Sequence, residues 1–85
     1  MSDETSIRNA LLREGLKAHK RSKQGNARFT KVAEDLGVDK REVTRIRRIM
    51  SGKGLLVIIA TDLYQLTDRG VMEAEVEAET VENDD

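Results

Sequence analysis

The sequence contains no cysteine or tryptophan, one histidine, one phenylalanine and one tyrosine. Without cysteine, neither a disulfide framework nor a thiolate metal site can form, and His19 alone provides no metal triad or catalytic dyad. Two aromatic side chains, Phe29 and Tyr64, offer no platform on which the bases of a single strand could stack. The composition therefore argues against an enzyme, a metalloprotein and a single-stranded nucleic acid binder, and we expect no cofactor.

Long apolar segments are also missing. The longest run of apolar residues covers residues 55–60, whereas a membrane-spanning helix needs about 20 such residues. No apolar run precedes a cleavage site of the kind that ends a secretion signal. We therefore expect no membrane contact and a cytoplasmic location, and the length of 85 residues predicts one domain.

Charge is abundant, and its two signs are unevenly distributed. Residues 1–53 hold 14 lysines and arginines against 7 acidic residues, whereas residues 54–85 hold 1 basic residue against 9 acidic ones. A basic half beside an acidic half is typical of a polyanion-binding surface with a solubilising tail, although two solvated faces without a ligand would have the same composition. We predict a domain at residues 6–70, a disordered start at 1–5 and a partly disordered acidic extension at 71–85.

Hydrophobic periodicity predicts the elements on either side of the central segment. Residues 6–20 have an apolar stripe with helical spacing. Residues 55–60 and 63–66 are rich in branched side chains and predict two strands joined by a tight turn. In residues 72–80 apolar residues alternate with glutamates, which is typical of a strand. Because alanine and glutamate favour helix, a short helix capped by Thr67 is equally compatible with this segment.

Residues 29–48 match the positional pattern of a helix-turn-helix. That motif needs a small residue where its two helices cross, a turn residue that tolerates positive φ, and apolar residues at fixed offsets. Gly37 is predicted to end the first helix, and Asp39 to cap the second with Glu42 in a capping box. The predicted apolar positions of the two helices are Val32, Ala33, Leu36, Val38, Val43, Ile46, Ile49 and Met50. A plain helical hairpin within a bundle is the alternative interpretation.

The exposed face of the second helix carries the candidate functional residues. Arginine makes bidentate contacts with guanine edges in the major groove, and threonine contacts a thymine methyl group or a phosphate. We predict base contacts for Arg41, Thr44 and Arg45. The predicted phosphate contacts are Lys40, Arg48, Lys31, Arg28 and Lys23. Backbone amides at the start of the first motif helix, near Lys31, are predicted to hold a further phosphate, and a solvated arginine face is the alternative.

Residues 37–46, with the sequence GVDKREVTRI, resemble the recognition helix of MarR-type winged-helix regulators. Residues 54–56 (GLL) are similar to the segment that opens the wing in that family, and residues 64–70 (YQLTDRG) to the segment that closes it. The resemblance covers residues 29–70, about half of the chain. It implies a mainly α fold with a small β-hairpin, namely a three-helix winged helix-turn-helix.

Members of this family are transcription regulators, often dimers, that place the recognition helix in the major groove of pseudo-palindromic operators. We therefore predict a sequence-specific regulator that binds double-stranded DNA as a homodimer and acts sterically, by occluding a promoter or by positioning polymerase, with repression by occlusion favoured. The family's wing carries basic residues, whereas residues 58–66 contain none, so the hairpin is expected to serve packing or dimerisation. The pairing surface is predicted to be the hairpin or the first helix.

Residues 33–40, followed by Arg45 and Arg48, are also similar to the lambdoid phage CII activators. That resemblance implies an all-helical tetramer in which residues 55–66 form a helix. Branched side chains in residues 55–59 favour a strand, so this interpretation ranks second. A third hypothesis is a protein-interaction adaptor that uses the winged-helix fold without DNA, and it rests on the acidic second half of the chain.

Overall fold

The computed structural model describes residues 4–22 and 25–82, and of residues 79–82 the backbone alone. Its elements are α1 (Glu4–Arg21), β1 (Ala27–Arg28), α2 (Phe29–Leu36), α3 (Lys40–Gly52), β2 (Leu56–Ala60), β3 (Leu63–Leu66) and α4 (Asp68–Glu82). The three strands form an antiparallel sheet in the order β1–β3–β2. The predicted fold class, mainly α with a small β-hairpin, is confirmed. Of the start predicted to be disordered (1–5), residues 4 and 5 belong to α1 and residues 1–3 lie outside the described residues. Of the partly disordered extension predicted at 71–85, residues 83–85 lie outside them.

Helix α1 is the element around which the rest of the molecule packs. It begins at Glu4, two residues before the predicted helix start, and it contacts the other three helices as well as β1 and β3. The apolar residues of its stripe are all buried in these contacts. The buried apolar residues of the core are Ile7, Ala10, Leu11, Leu12, Leu16, Ala18, Ala27, Phe29, Val32, Ala33, Val43, Ile46, Met50, Leu55, Leu56, Tyr64 and Ala74.

The two aromatic side chains stack at the centre of this core. The ring centroids of Phe29 and Tyr64 are 4.5 Å apart, and the Tyr64 hydroxyl donates a hydrogen bond of 2.6 Å to the backbone oxygen of Leu11. Burial, and after it the nearby charge of Glu14, raises the pKa of this hydroxyl above its ordinary value. Tyr64 therefore joins the sheet to α1, and Phe29 joins α2 to the sheet.

The prediction that Ile49 belongs to the buried stripe of α3 is wrong. Val43, Ile46 and Met50 follow one another at intervals of three and four residues and are buried, whereas Ile49 is 42% exposed. Ile49 lies to one side of that stripe, in a shallow groove beside the first turn of α1. A single helix face of this width accommodates three of the four apolar residues, and the fourth is displaced toward solvent.

Strands β2 and β3 form the predicted hairpin, so the all-helical interpretation of residues 55–66 is wrong. A two-residue turn, Thr61 and Asp62, joins the strands, and a register shift between Ile58 and Ala60 marks an irregularity in β2. β2 is an edge strand of the sheet. All its residues after the first are exposed, including the apolar side chains of Val57, Ile58 and Ile59.

Residues 72–80 are helical, so the strand alternative is wrong and the helix alternative is confirmed. Thr67 caps α4, because its hydroxyl oxygen accepts a hydrogen bond of 3.1 Å from the backbone amide of Gly70. Gly70 lies so close to the Leu55 carbonyl that a Cβ atom would stand 1.9 Å from its oxygen. Burial of Ala74 against α1 fixes the helical form of this acidic segment. Within the described residues, no helix has the length and apolar character needed to cross a bilayer.

Candidate nucleic-acid interface

The elbow of the helix-turn-helix has the geometry that the sequence predicts. Gly37 has a φ of 66°, in the left-handed region that favours glycine, and its amide donates to the carbonyl of Glu34 at 3.2 Å. Val38 then donates its amide to Ala33 at 3.1 Å, which closes the end of α2. The predicted helix end at Gly37 is confirmed, and the chain turns directly into α3.

The start of α3 confirms one half of the predicted capping box. The carboxylate of Asp39 accepts a hydrogen bond of 2.9 Å from the backbone amide of Arg41, as an N-cap residue does. The carboxylate of Glu42, the predicted partner, accepts a hydrogen bond of 2.9 Å from Arg45. Asp39 therefore fixes where α3 begins, while Glu42 contacts a candidate base-reading side chain.

The side of α3 opposite its buried stripe is called here the outer face. It consists of Lys40, Arg41, Thr44, Arg45 and Arg48, of which Thr44 is half-buried and the others are exposed. The side chains of Lys40, Arg41 and Arg48 form neither an ion pair nor a hydrogen bond with any of the described residues. The structure thus brings the predicted base-contacting residues together on one exposed surface.

Arg45 differs from its neighbours because two carboxylates hold it. Its Nη1 atom lies 2.7 Å from Oε1 of Glu4 in the first turn of α1, and its Nη2 atom lies 2.9 Å from Oε2 of Glu42. The hydrogen bond to Glu4, followed by the one to Glu42, raises the pKa of Arg45 above its ordinary value. No sequence pattern links Glu4 to α3, because the contact joins residues far apart in the chain.

Two predicted phosphate-contacting residues on other elements are also ion-paired. Arg28 donates from Nε to Oδ2 of Asp62 at 3.3 Å. Lys31 lies 3.1 Å from the carboxylate of Asp35 and 3.7 Å from that of Glu14. The hydrogen bond to Asp35, followed by the charge of Glu14, raises the pKa of Lys31. The predicted contact of Lys23 lies outside the described residues.

A carboxylate from the hairpin turn occupies part of the position at the start of α2 where the sequence predicts a phosphate. Oδ1 of Asp62 accepts from the backbone amide of Thr30 at 2.8 Å, and Oδ2 accepts from the Thr30 hydroxyl at 2.7 Å. Partial burial acts to raise the pKa of Asp62, but the hydrogen bonds from Thr30 and Arg28 outweigh it and lower this pKa. The carboxylate caps α2 and would repel a phosphate there.

Arg47 has a role that sequence reasoning missed. Its guanidinium carbon lies 4.6 Å from the centre of the Phe29 ring, and its Nη1 atom donates to the backbone oxygen of Thr61 at 2.9 Å. These contacts and those of Asp62 with Thr30 hold the hairpin turn against both motif helices. We call Phe29, Thr30, Arg47, Thr61 and Asp62 the hairpin clamp. The position of Arg47 one residue after Ile46, at the border of the buried stripe, was the available signal.

A groove separates the hairpin clamp from the outer face of α3. It has a volume of about 240 Å³, and Lys40 and Thr44 line it together with the clamp residues.

Across the part of the chain that the structure describes, no cluster of three histidine, cysteine or acidic side chains has the arrangement of a metal site.

No protein-family model matches this sequence, and no curated protein matches it either. Among solved structures, the chain is similar to ZitR of Lactococcus lactis. For a double mutant of ZitR the TM-score is 0.70 with 23% identity, over 91% of this chain and 52% of that one. For the same mutant in its apo form the TM-score is 0.69 with 24% identity, over 93% of this chain and 59% of that one. The chain thus spans little more than half of ZitR, and the likeness shows a winged-helix fold.

Proposed function

We propose that this chain is a sequence-specific, double-stranded DNA-binding transcription regulator of the MarR type, with α3 as its recognition helix. The outer face of α3 is the observation that supports this function. Four cationic side chains are exposed there on one helix, and three of them have no ion-pair partner among the described residues. An exposed cationic helix that follows a helix-turn-helix elbow has the shape and charge of a major-groove reader.

The dimensions of α3 suit this role. Its 13 residues span about 20 Å, and the major groove, about 12 Å wide, admits one α-helix. In the proposed complex, Arg41, Thr44 and Arg45 contact base edges, while Lys40 and Arg48 contact phosphates. The base contacts determine the sequence, and the phosphate contacts determine the orientation of the helix in the groove.

Arg28 and Lys31 are proposed to contact phosphates at the edge of the interface, and Lys23 is proposed to do the same. The first two residues exchange their carboxylate partners for phosphate oxygens when DNA binds. Both cationic side chains are exposed, so the ion pairs that they give up contribute little to stability, and Asp62 keeps its hydrogen bonds from Thr30. Because the Asp62 carboxylate takes the Thr30 amide at the start of α2, these side chains and Lys40 are proposed to supply most of the phosphate contacts.

The hairpin is proposed to pair two copies of the chain rather than to enter the minor groove. It is short, residues 58–66 carry no basic side chain, and its turn is held down by the hairpin clamp. Of the two surfaces that the sequence suggests for dimerisation, α1 has its stripe buried in the core. The edge strand β2 instead exposes Val57, Ile58 and Ile59. A homodimer would present two α3 helices to half-sites about 34–36 Å apart.

The proposed regulation is steric. A dimer bound at a promoter excludes polymerase, which makes the protein a cytoplasmic repressor that needs neither a cofactor nor a reaction of its own. The adaptor hypothesis is the second candidate, and the exposed apolar side chains of β2 and of Met72 and Val76 on α4 favour it. In that case the partner is a protein, and the outer face of α3 carries no function.

The two candidates differ in their response to salt and to loss of the outer-face arginines. Duplexes enriched by selection from genomic fragments would be titrated with the protein at several salt concentrations. For DNA binding, the logarithm of the association constant falls with the logarithm of salt at a slope of about −0.9 per phosphate contacted. Arg41→Ala and Arg45→Ala should each weaken binding to the selected duplex roughly tenfold or more.

A matched control removes two cations that do not belong to the outer face of α3, with Arg13→Ala and Arg69→Ala. Both residues are exposed, and Arg13 lies in a groove between α1 and α4. We expect the control to keep most of the affinity for the selected duplex. If the double variant of Arg41 and Arg45 binds duplex DNA as well as the control does, DNA recognition by α3 is excluded and the adaptor hypothesis is favoured.

A further inference from the structure

Among the described residues, Arg45 is the one outer-face arginine that side chains from two helices hold in place. Glu42 lies one turn before it on α3, and Glu4 reaches it from the first turn of α1. Arg41 and Arg48 have no comparable partner within the described part of the chain. Arg45 is therefore oriented in the free protein, whereas its two neighbours must become ordered when a ligand binds.

The two hydrogen bonds leave donors available on the same guanidinium. Arginine carries five N–H groups in a fixed plane, and each terminal nitrogen has two of them. Glu4 and Glu42 accept one hydrogen bond each, from Nη1 and Nη2 respectively. Enough N–H groups remain for a bidentate contact with O6 and N7 of a guanine, so the carboxylates need not leave when a base is read.

On the basis of the DNA-binding function above, we propose that Glu4 and Glu42 are positioning residues that hold Arg45 ready to read a guanine. A flexible arginine loses conformational freedom when it binds, and this loss lowers affinity. Two carboxylates that hold the guanidinium beforehand reduce that loss for a correctly placed guanine. They also prevent Arg45 from turning to the nearest phosphate on any other sequence.

The proposal makes opposite predictions for specific and non-specific DNA. In Glu42→Gln and Glu4→Gln, Arg45 is less restrained, so affinity for the selected duplex should fall about three- to tenfold. Removal of a negative charge should leave affinity for a scrambled duplex of equal length unchanged or increase it. If the two carboxylates instead compete with DNA for Arg45, either substitution should raise the affinity for both duplexes. The reason is that it removes a negative charge that repels the DNA backbone.

The experiment compares Kd values for the two duplexes in the wild type, in each variant and in the Arg45→Ala background. Glu34→Gln serves as the control because Glu34 is exposed on α2 and the variant changes the same charge. We expect the ratio of specific to non-specific affinity to fall in Glu42→Gln and Glu4→Gln, but not in the control or when Arg45 is already alanine. Thermal unfolding of each variant verifies that the fold is kept.

A rise in affinity for the selected duplex in either glutamine variant, or an unchanged ratio, would overturn the positioning role while leaving DNA binding intact. The DNA-binding function itself fails if the wild type shows no preference for any selected duplex, or if the double variant of Arg41 and Arg45 binds the selected duplex as well as its control does. The two failures are therefore distinguishable in one set of titrations.

Discussion

The outer face of α3 and the hairpin clamp both use arginine from the same helix, and they use it in opposite ways. Arg41 and Arg48 extend into solvent without a partner among the described residues. Arg47 instead lies over the Phe29 ring and donates a hydrogen bond to the backbone oxygen of Thr61. The position of each residue relative to the buried stripe decides which role its guanidinium has. Substitutions should therefore separate stability from binding along one helix.

Among substitutions in the two regions, Phe29→Ala is expected to lower the free energy of unfolding most. This side chain is 5% exposed and stacks on Tyr64 beneath Arg47, so its truncation removes the centre of the hairpin clamp. The free energy of unfolding, measured by urea denaturation, should fall by about 3–5 kcal/mol. Ile49→Ala, at an exposed apolar position, is the control. A loss below about 1 kcal/mol in Phe29→Ala would mean that the clamp does not organise the fold.

Arg47→Ala and Arg48→Ala compare the two regions most directly, because the two residues are adjacent in the chain. Arg47→Ala should lower the free energy of unfolding by about 1–2 kcal/mol through loss of the ring contact and the hydrogen bond. Arg48→Ala should change it by less than about 0.5 kcal/mol. In DNA titrations at several salt concentrations, Arg48→Ala should reduce the salt slope by about 1. Equal stability losses in the two variants would remove the distinction between the two regions.

Asp62→Asn is expected to destabilise the hairpin clamp less than Phe29→Ala or Arg47→Ala does, and its effect depends on pH. Asparagine keeps an acceptor oxygen but loses the negative charge at the start of α2 and beside Arg28, so the free energy of unfolding should fall by about 0.3–1 kcal/mol at neutral pH. Because the folded pKa of Asp62 is lowered, this stabilisation is complete above the unfolded pKa of about 3.9 and is lost as pH falls through the folded value. The gap between wild type and variant should therefore be constant from neutral pH to about pH 5 and narrow below about pH 4. A gap that persists in strong acid would rule out the carboxylate as its source.

The helix-turn-helix could be predicted because its determinants are local. Gly37 and Asp39 act within a few residues of themselves, and the buried positions repeat along a single helix. The contacts between distant residues could not be predicted in this way. Glu4 meets Arg45, and Asp62 meets Thr30, across 41 and 32 positions of sequence. These contacts depend on how the elements pack, which no local pattern records.

Two elements show where local patterns were ambiguous. The alternation of apolar and acidic residues in α4 has the period of a strand, whereas the cap at Thr67 and the packing of Ala74 on α1 favour the helix. In α3, four apolar positions have helical spacing, but the available contact surface accommodates three and leaves Ile49 exposed. The candidate base-reading residues were identified from their spacing, whereas their ion pairs required the structure.

The uncharged edge strand β2 also has a consequence before the chain has folded. A short stretch of branched apolar residues without proline or charge is the kind of segment through which unfolded chains aggregate. Here Lys53 precedes that stretch and Asp62 follows it, as gatekeeper charges do. The 9 acidic residues after position 53 add mutual repulsion between nascent chains at neutral pH. Mild acidification brings the net charge of the whole chain to zero near its pI of about 5.9, so solubility during refolding should be poorest there.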